Sequence, residues 1–529
     1  MKRLTIYFMA LIVIINFTSC GKKQQSGSVV LNDILQLQQA QINSFDPLDA
    51  YHAGHIQMVK QLYNTLTDID LTGKTTPSLA KSWDTPDGLN WTFYLRDDVA
   101  FFKDSCFANS EDRNFTGGDV KYTFERLLGP KSQSLGVSYF SNLAGLGDFR
   151  AGIADHISGI IAEDAHTILF KLNQPDYNFP NLLTLPYVSI VKEKAVSFYE
   201  ENFKLHPVGT GPFELQSFKS NEEVVLTKNG DYWEESEGHS LPFVDELDIH
   251  LTTDDNLSLL MFKNRRTDFL ELNLPMQKQL ESTNVPFKYG KETIQLTQLY
   301  FYLFNLERLS DPDVRQGISY AIDREKLSEI IGDQGVVTTS LFPSIFSDLT
   351  KPNDRLAYSP DKAKNLLGKN KQKTLNLVCF EDILSRALAD LLAKQLKEYG
   401  VIVEIEAVTF PVLVDRLTSG NYDMVQIYWG PLYADVRHFL NPFITASFPP
   451  AGNNFNKYSN AEFDSLVETA PSLPQDQQIA QYLKAQDIIL SDMPFFLAYY
   501  KNMIRVSDEK FEMPLHPLVY RFYKFARPK

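Results

Sequence analysis

Leu375-Asn376-Leu377-Val378-Cys379, Val401-Ile402-Val403-Glu404-Ile405-Glu406-Ala407-Val408 and Asp423-Met424-Val425-Gln426-Ile427-Tyr428 are three apolar runs, and what lies between them decides the fold. Ile383 to Tyr399 separates the first two and Val412 to Ser419 the second two, each with helical spacing. Strand and helix alternate with short connections, which predicts a β-α-β-α-β unit in a mixed sheet covered by helices.

Working outward, Asn460 to Ala470 and Gln475 to Leu490 read as helices and Phe495 to Tyr500 as a strand. On the other side, Leu299 to Asn305 is a dense aromatic strand. Asp311-Pro312 then places an N-cap and an N1 proline before the stripe Val314, Ile318, Ile322 and Leu327, predicting one long helix to Gly332. Ser359-Pro360 opens a shorter helix ending at Gly368. Earlier still, Val30 to Leu37, Leu89 to Leu95, Glu223 to Lys228 and Leu247 to Leu251 read as strands, and Ile157 to Leu172 as a hairpin turning at Asp164-Ala165-His166. His55 to Leu66 has helical spacing, and Thr116 with Asp119 forms a capping box for a helix stopped by Gly129-Pro130. The second half differs in character from the first, which predicts two lobes that exchange chain, divided near residue 280.

The 529 residues amount to about three domains or two large lobes. With 43% apolar and 22% charged residues, the composition is that of a globular chain with its own core. Fifty-one basic against 66 acidic side chains give a net charge of −15, which argues against a nucleic-acid partner. Lys2 and Arg3, the apolar stretch Leu4 to Phe17 and then Ser19-Cys20-Gly21 read as an export signal, residues 1–19. The cysteine that ends it resembles a bacterial lipobox, implying lipid on Cys20 and a tether over residues 20–29. Cys106 and Cys379 are the other cysteines; export permits a disulfide between them without requiring one.

Catalytic signatures are sparse. His52 and His55 lack the third ligand of a metal site. Val208-Gly209-Thr210-Gly211-Pro212-Phe213 has no lysine for a phosphate loop, and reads as a tight turn against the sheet. No nucleophile elbow is present. The sequence therefore predicts no enzyme, no cofactor and no metal, with an exported hydrolase as the weaker alternative.

Ordered motifs carry a resemblance. They include Asn43-Ser44-Phe45-Asp46-Pro47, Gln61-Leu62-Tyr63-Asn64-Thr65-Leu66 and Phe115-Thr116-Gly117-Gly118-Asp119-Val120. Pro207 to Phe213 and Asp313 to Lys326 follow, then Trp429-Gly430 and Tyr458-Ser459-Asn460. The chain resembles the peptide/nickel-type solute-binding proteins of bacterial ABC importers, the dipeptide- and oligopeptide-binding group. The resemblance implies an α/β, two-lobed periplasmic-binding-protein-like fold of the large cluster C type. The expected division is a first lobe at 30–280 with an inserted subdomain near 50–180, a second at 281–485, and a return to the first at 486–529. It further implies a monomer that captures oligopeptides between its lobes, delivers them to a membrane permease, and is held to the bacterial envelope by its lipid. Oligosaccharides or metal chelates are the alternative solutes.

Trp429 follows the last strand of the β-α-β-α-β unit, where loops beyond strand ends build clefts. In the family an aspartate three residues after this tryptophan pairs with the α-ammonium of a peptide; here that position is Leu432. Asp435 is the candidate substitute, with Arg437 and His438 nearby, and Trp429, Gly430, Leu432, Tyr433 and Asn43 complete the expected ligand-binding set.

Overall fold

The computed structural model describes residues 28–36, 42–50, 52–368, 373–433, 435–449, 452–518 and 520–529. The expected leader and Cys20 lie outside them. Among the described residues, no helix is long and apolar enough to cross a membrane.

One large sheet organises the chain. Its strands are β1 (Val30–Gln36), β2 (Phe213–Lys219), β3 (Glu223–Lys228), β4 (Glu246–Thr252), β5 (Phe269–Glu271) and β6 (Gly290–Phe304). The rest are β7 (Gly335–Val337), β8 (Lys373–Phe380), β9 (Val401–Val408), β10 (Met424–Trp429) and β11 (Phe495–Ser507). They run in the order β9-β8-β10-β6-β11-β5-β1-β4-β3-β2, with β7 added to β11. β8 pairs in parallel with β9 and β10, as the β-α-β-α-β reading requires, whereas β6 is antiparallel to β10 and β11.

β6 and β11 carry the sheet from one body to the other. Gly290 to Gln295 pairs with Ser507 to Asn502, and Leu299 to Leu303 pairs with Tyr500 to Phe495. The register breaks between them, so Leu296 to Gln298 leaves the ladder, and Thr297 instead donates its N–H to Pro517 O at 2.9 Å. A second register shift follows at once between Tyr300 and Phe301, so the irregularities that bend this strand pair fall together over residues 296–301. Both strands exceed the expected lengths, β6 beginning at Gly290 rather than Leu299 and β11 ending at Ser507 rather than Tyr500.

Apolar side chains collect in two main cores. The first joins Leu31, Leu226, Leu247 and Phe269 with Phe511, Leu518 and Tyr523 from the far end of the chain. The second packs Tyr302, Val378, Leu392, Tyr422 and Phe495. A four-stranded antiparallel sheet (80–84, 90–95, 167–171, 160–162) belongs to the first body, with the rings of Phe93, Phe124, Phe170 and Phe179 between it and the helix Gly117–Leu128. The capping box is formed: Thr116 N–H donates to the Asp119 carboxylate at 2.9 Å, which also pairs with Lys192 at 3.0 Å.

Two local readings need correction. The single helix expected after Asp311 is two, Pro312–Ala321 and Arg324–Ile331. Ile322 is extended, and Asp323 caps the second helix by accepting from the N–H groups of Glu325 and Lys326. Gly209 and Gly211 are scaffold, but not as a turn of special dihedral: a Cβ on Gly209 would lie 1.9 Å from Leu62 O, and one on Gly211 2.4 Å from Leu62 C. Close approach of two backbones excludes side chains here. Cys106 and Cys379 are free, buried in different cores.

Candidate functional site

A cleft of about 2040 Å³ lies between the two bodies. The C-terminal ends of β8, β9 and β10 open onto it through Phe380, Val408 and Trp429. The opposing wall carries His52, Tyr139 and Asp176 from the first body.

The loop after β10 bridges the gap. Trp429 Nε1–H donates to His438 O at 2.7 Å, closing the loop on the short helix Arg437–Leu440. Gly430 sits against Gln298, in the segment that leaves the ladder of β6; a Cβ there would be 3.3 Å from Gln298 Cα. Leu432 and Tyr433 belong to the first body's core although the chain around them belongs to the second, and the Tyr520 hydroxyl donates to Leu432 O. Tyr433 meets His438 edge-on with ring centroids 5.4 Å apart, and Tyr139 stacks on His438 at 6.4 Å.

Asp435 stands behind this wall, buried and occupied. It accepts from Arg437 N–H at 2.8 Å, Nε at 3.0 Å and Nη2 at 2.6 Å. The same guanidinium reaches across the cleft to Asp176, Nη1 to Oδ2 at 3.0 Å. Burial opposes the charge on Arg437, but Asp435 and Asp176 outweigh it and keep the group cationic. Asp176 is held above its usual range by burial, against the pull of Arg437. His438 is pushed down to about 4 by burial, so it is neutral at neutral pH. Three further contacts join the bodies beside this pair: Tyr177 N–H to Pro471 O at 2.9 Å, Ser472 Oγ to Pro175 O at 3.1 Å and Asn178 Nδ2 to Gln478 Oε1 at 3.0 Å.

Of the residues expected to bind ligand, Trp429, Gly430, Leu432, Tyr433, Arg437 and His438 line the cleft. Asp435 lies one layer behind them, and Asn43 is exposed on a loop away from the lining. Sequence reasoning did not find Asp176, Tyr139 or the cleft-lining rings of Tyr300, Tyr428 and Tyr499. The aromatic density of β6 was the available signal for the rings; no local pattern marks Asp176.

The rings of His52 and His55 are 3.7 Å apart, and His52 is pushed down to about 4 by burial and by its neighbour. Away from the cleft, Glu223, Asp248 and His250 on β3 and β4 bring ligand-type atoms within 4.8 Å of one another, but Lys219 already pairs with Glu223 at 2.9 Å.

A model of bacterial extracellular solute-binding proteins, family 5 (middle region), matches residues 74–448. The peptide transport periplasmic protein SapA of Salmonella typhimurium is 24% identical over 503 residues, covering 90% of this chain and 88% of its own. The periplasmic oligopeptide-binding protein OppA of the same organism is 24% identical over 483 residues, covering 87% and 86%. Among solved structures, the unliganded open form of the murein tripeptide-binding protein MppA superposes with a TM-score of 0.77 at 22% identity, over 95% of this chain and 99% of that one. With a two-domain α/β architecture and its cleft at the strand ends, the family model's match over well more than half of the chain places the protein in the bacterial extracellular solute-binding proteins, family 5.

Proposed function

We propose that the protein captures oligopeptides outside the cytoplasmic membrane and hands them to an ABC permease. The single observation that carries this reading is the cleft itself: about 2040 Å³, walled by two bodies that β6 and β11 span on either side of the unpaired stretch Leu296 to Gln298. A peptide-sized solute fits such a volume, and closure removes water from its polar contacts. SapA and OppA are named for peptide transport and oligopeptide binding, which supports the same solute class. In this reading the bodies divide near residue 280 and again near 486, and the protein acts as a monomer tethered by lipid on Cys20.

Trp429, Tyr433, Arg437 and His438 form the solute-facing wall, and Asp435 acts through Arg437 by fixing its guanidinium. Leu432 favours a second reading. An ammonium buried without a carboxylate partner is costly, so a solute that meets this loop with an uncharged group suits it better than a free N-terminus does. Native mass spectrometry on gently purified protein separates the two. Adducts that fragment into peptides are expected; a single non-peptide adduct would replace the peptide reading with the second.

A further inference from the structure

Among the described residues, one cation of the cleft makes no direct ion pair. Arg437 is held by Asp435 and Asp176, and Arg521 by Glu271 at 2.7 Å. Lys501, half-buried on β11, lines the same cleft; its backbone pairs with Gly335 of β7, but its ammonium makes no hydrogen bond or ion pair among the described residues. It lies between Tyr500, which pairs with Leu299, and Asn502, which pairs with Gln295, so it stands opposite the stretch of β6 that leaves the ladder. Its position is therefore the hinge floor. Burial lowers its pKa, with Glu271 and Asp382 acting in the other direction without meeting it. A desolvated ammonium with no direct ion pair is unfavourable in the empty protein and gains from an anion brought into contact with it.

A row of rings begins beside this lysine. Tyr499, two residues before Lys501 on β11, stacks on Tyr300 with centroids 4.8 Å apart. Tyr300 meets Tyr428 at 5.3 Å, Tyr428 meets Phe380 at 5.8 Å, and Phe380 stacks on Phe410 at 6.4 Å. All five line the cleft. The outer end stays bare: Phe410 is 44% exposed and Ile383, close by in the lining, 64%. Apolar surface of this size exposed inside a cleft is a binding wall rather than a core.

We infer that Lys501 anchors an anionic group of the solute at the hinge, with apolar groups of the same molecule laid along the rings of Tyr499, Tyr300, Tyr428, Phe380 and Phe410. The solute class is an amphipathic anion of the carboxylate type. The inference rests on the solute-binding reading and deepens it, because it assigns the carboxylate rather than the ammonium as the charge that is read. A peptide C-terminus and a non-peptide aromatic acid offer the same chemistry, and the test distinguishes them.

Wild type, Lys501→Met and Lys501→Arg are titrated calorimetrically with trialanine and triphenylalanine, each as free acid and as C-terminal amide, and with phenylpropionate and phenylpropionamide. The wild type should bind acids at least about tenfold more tightly than amides, the value of a charge-assisted contact. Lys501→Met should erase that difference and Lys501→Arg should restore most of it. Triphenylalanine should exceed trialanine. Binding of phenylpropionate alone, with the same dependence on Lys501, keeps the inference and removes the peptide reading. Peptides bound equally as acid and amide, before and after Lys501→Met, overturn the inference and keep the peptide reading; failure of every acid to bind above its amide overturns it too. Melting of the unliganded variants gives a second readout. Lys501→Met should melt above the wild type, since it removes a desolvated charge that no direct ion pair offsets, and a lower Tm would assign the lysine to the fold instead.

Discussion

Arg437 and Asp176 stand 261 residues apart in the chain and 3.0 Å apart across the cleft. The guanidinium is anchored on its own body by Asp435, so it meets Asp176 as a preformed donor with little freedom left to lose. The pair acts as a latch between bodies.

Asp176→Asn should loosen the latch without leaving Arg437 uncompensated, because Asp435 remains. The loss of one charge-assisted contact is about 1.5–3 kcal/mol. Small-angle scattering should then report a larger radius of gyration than the wild type under identical conditions. An unchanged radius would show that the neighbouring contacts of Tyr177, Ser472 and Asn178 hold the bodies unaided.

Gly211→Ala should be among the most damaging small substitutions in the protein. The added Cβ would lie 2.4 Å from Leu62 C and 2.5 Å from Gln61 O, backbone atoms that cannot swing aside. A cost of about 3 kcal/mol is expected. Gly230→Ala, with nothing within 4 Å of its Cβ, is the control and should change stability by less than about 0.5 kcal/mol. Equal urea midpoints for the two variants would refute the close-approach account.

His516 is fully buried and uses both ring nitrogens: Nε2 donates to Asp70 O at 2.9 Å and Nδ1 accepts from Leu518 N–H at 3.1 Å. Burial pushes its pKa from 6.5 to about 4. Between those values the unfolded chain binds the proton and the folded chain does not, so stability falls as pH drops through that window and is flat above it. The contribution is on the order of 3 kcal/mol. Urea midpoints measured across the window should slope for the wild type and slope less for His516→Gln; parallel curves would assign the acid sensitivity to other groups.

Asp323→Ala removes the cap that starts the second of the two helices after Asp311. About 1 kcal/mol should be lost. Asp323→Asn, which keeps an accepting oxygen, should recover most of it, and identical denaturation midpoints for the two would show that the break is set elsewhere.

Elements whose cause is local were legible in the sequence. Thr116 with Asp119, Asp311 with Pro312, and the alternation of helices and strands from residue 373 to 429 each stand where the pattern put them. The crossing strands were read only in part, because the first half of β6 and the last half of β11 carry Lys291, Glu292, Asn502 and Arg505 and lack apolar density. Their pairing comes from each other and not from local preference. The cleft loop was found because it follows a strand end. Its partners were not: Asp176 belongs to a segment with no charge pattern of its own, and Lys501 is one cation directly after the aromatic run Phe495 to Tyr500. Only the assembled sheet shows that one is latched and the other unmatched.

The first core has a further consequence for how the molecule comes into being. Phe511, Leu518 and Tyr523 fill spaces beside Leu31, Leu247 and Phe269, and Arg521 pairs with Glu271. A chain that emerges amino end first therefore cannot finish its first body until residues 511–526 have also emerged. The second body, built from contiguous chain between β6 and β11, is complete earlier. The order of manufacture is thus the reverse of the order of sequence, and a ribosome or a secretion channel that releases the chain short of those residues delivers a molecule with one finished body and one open core.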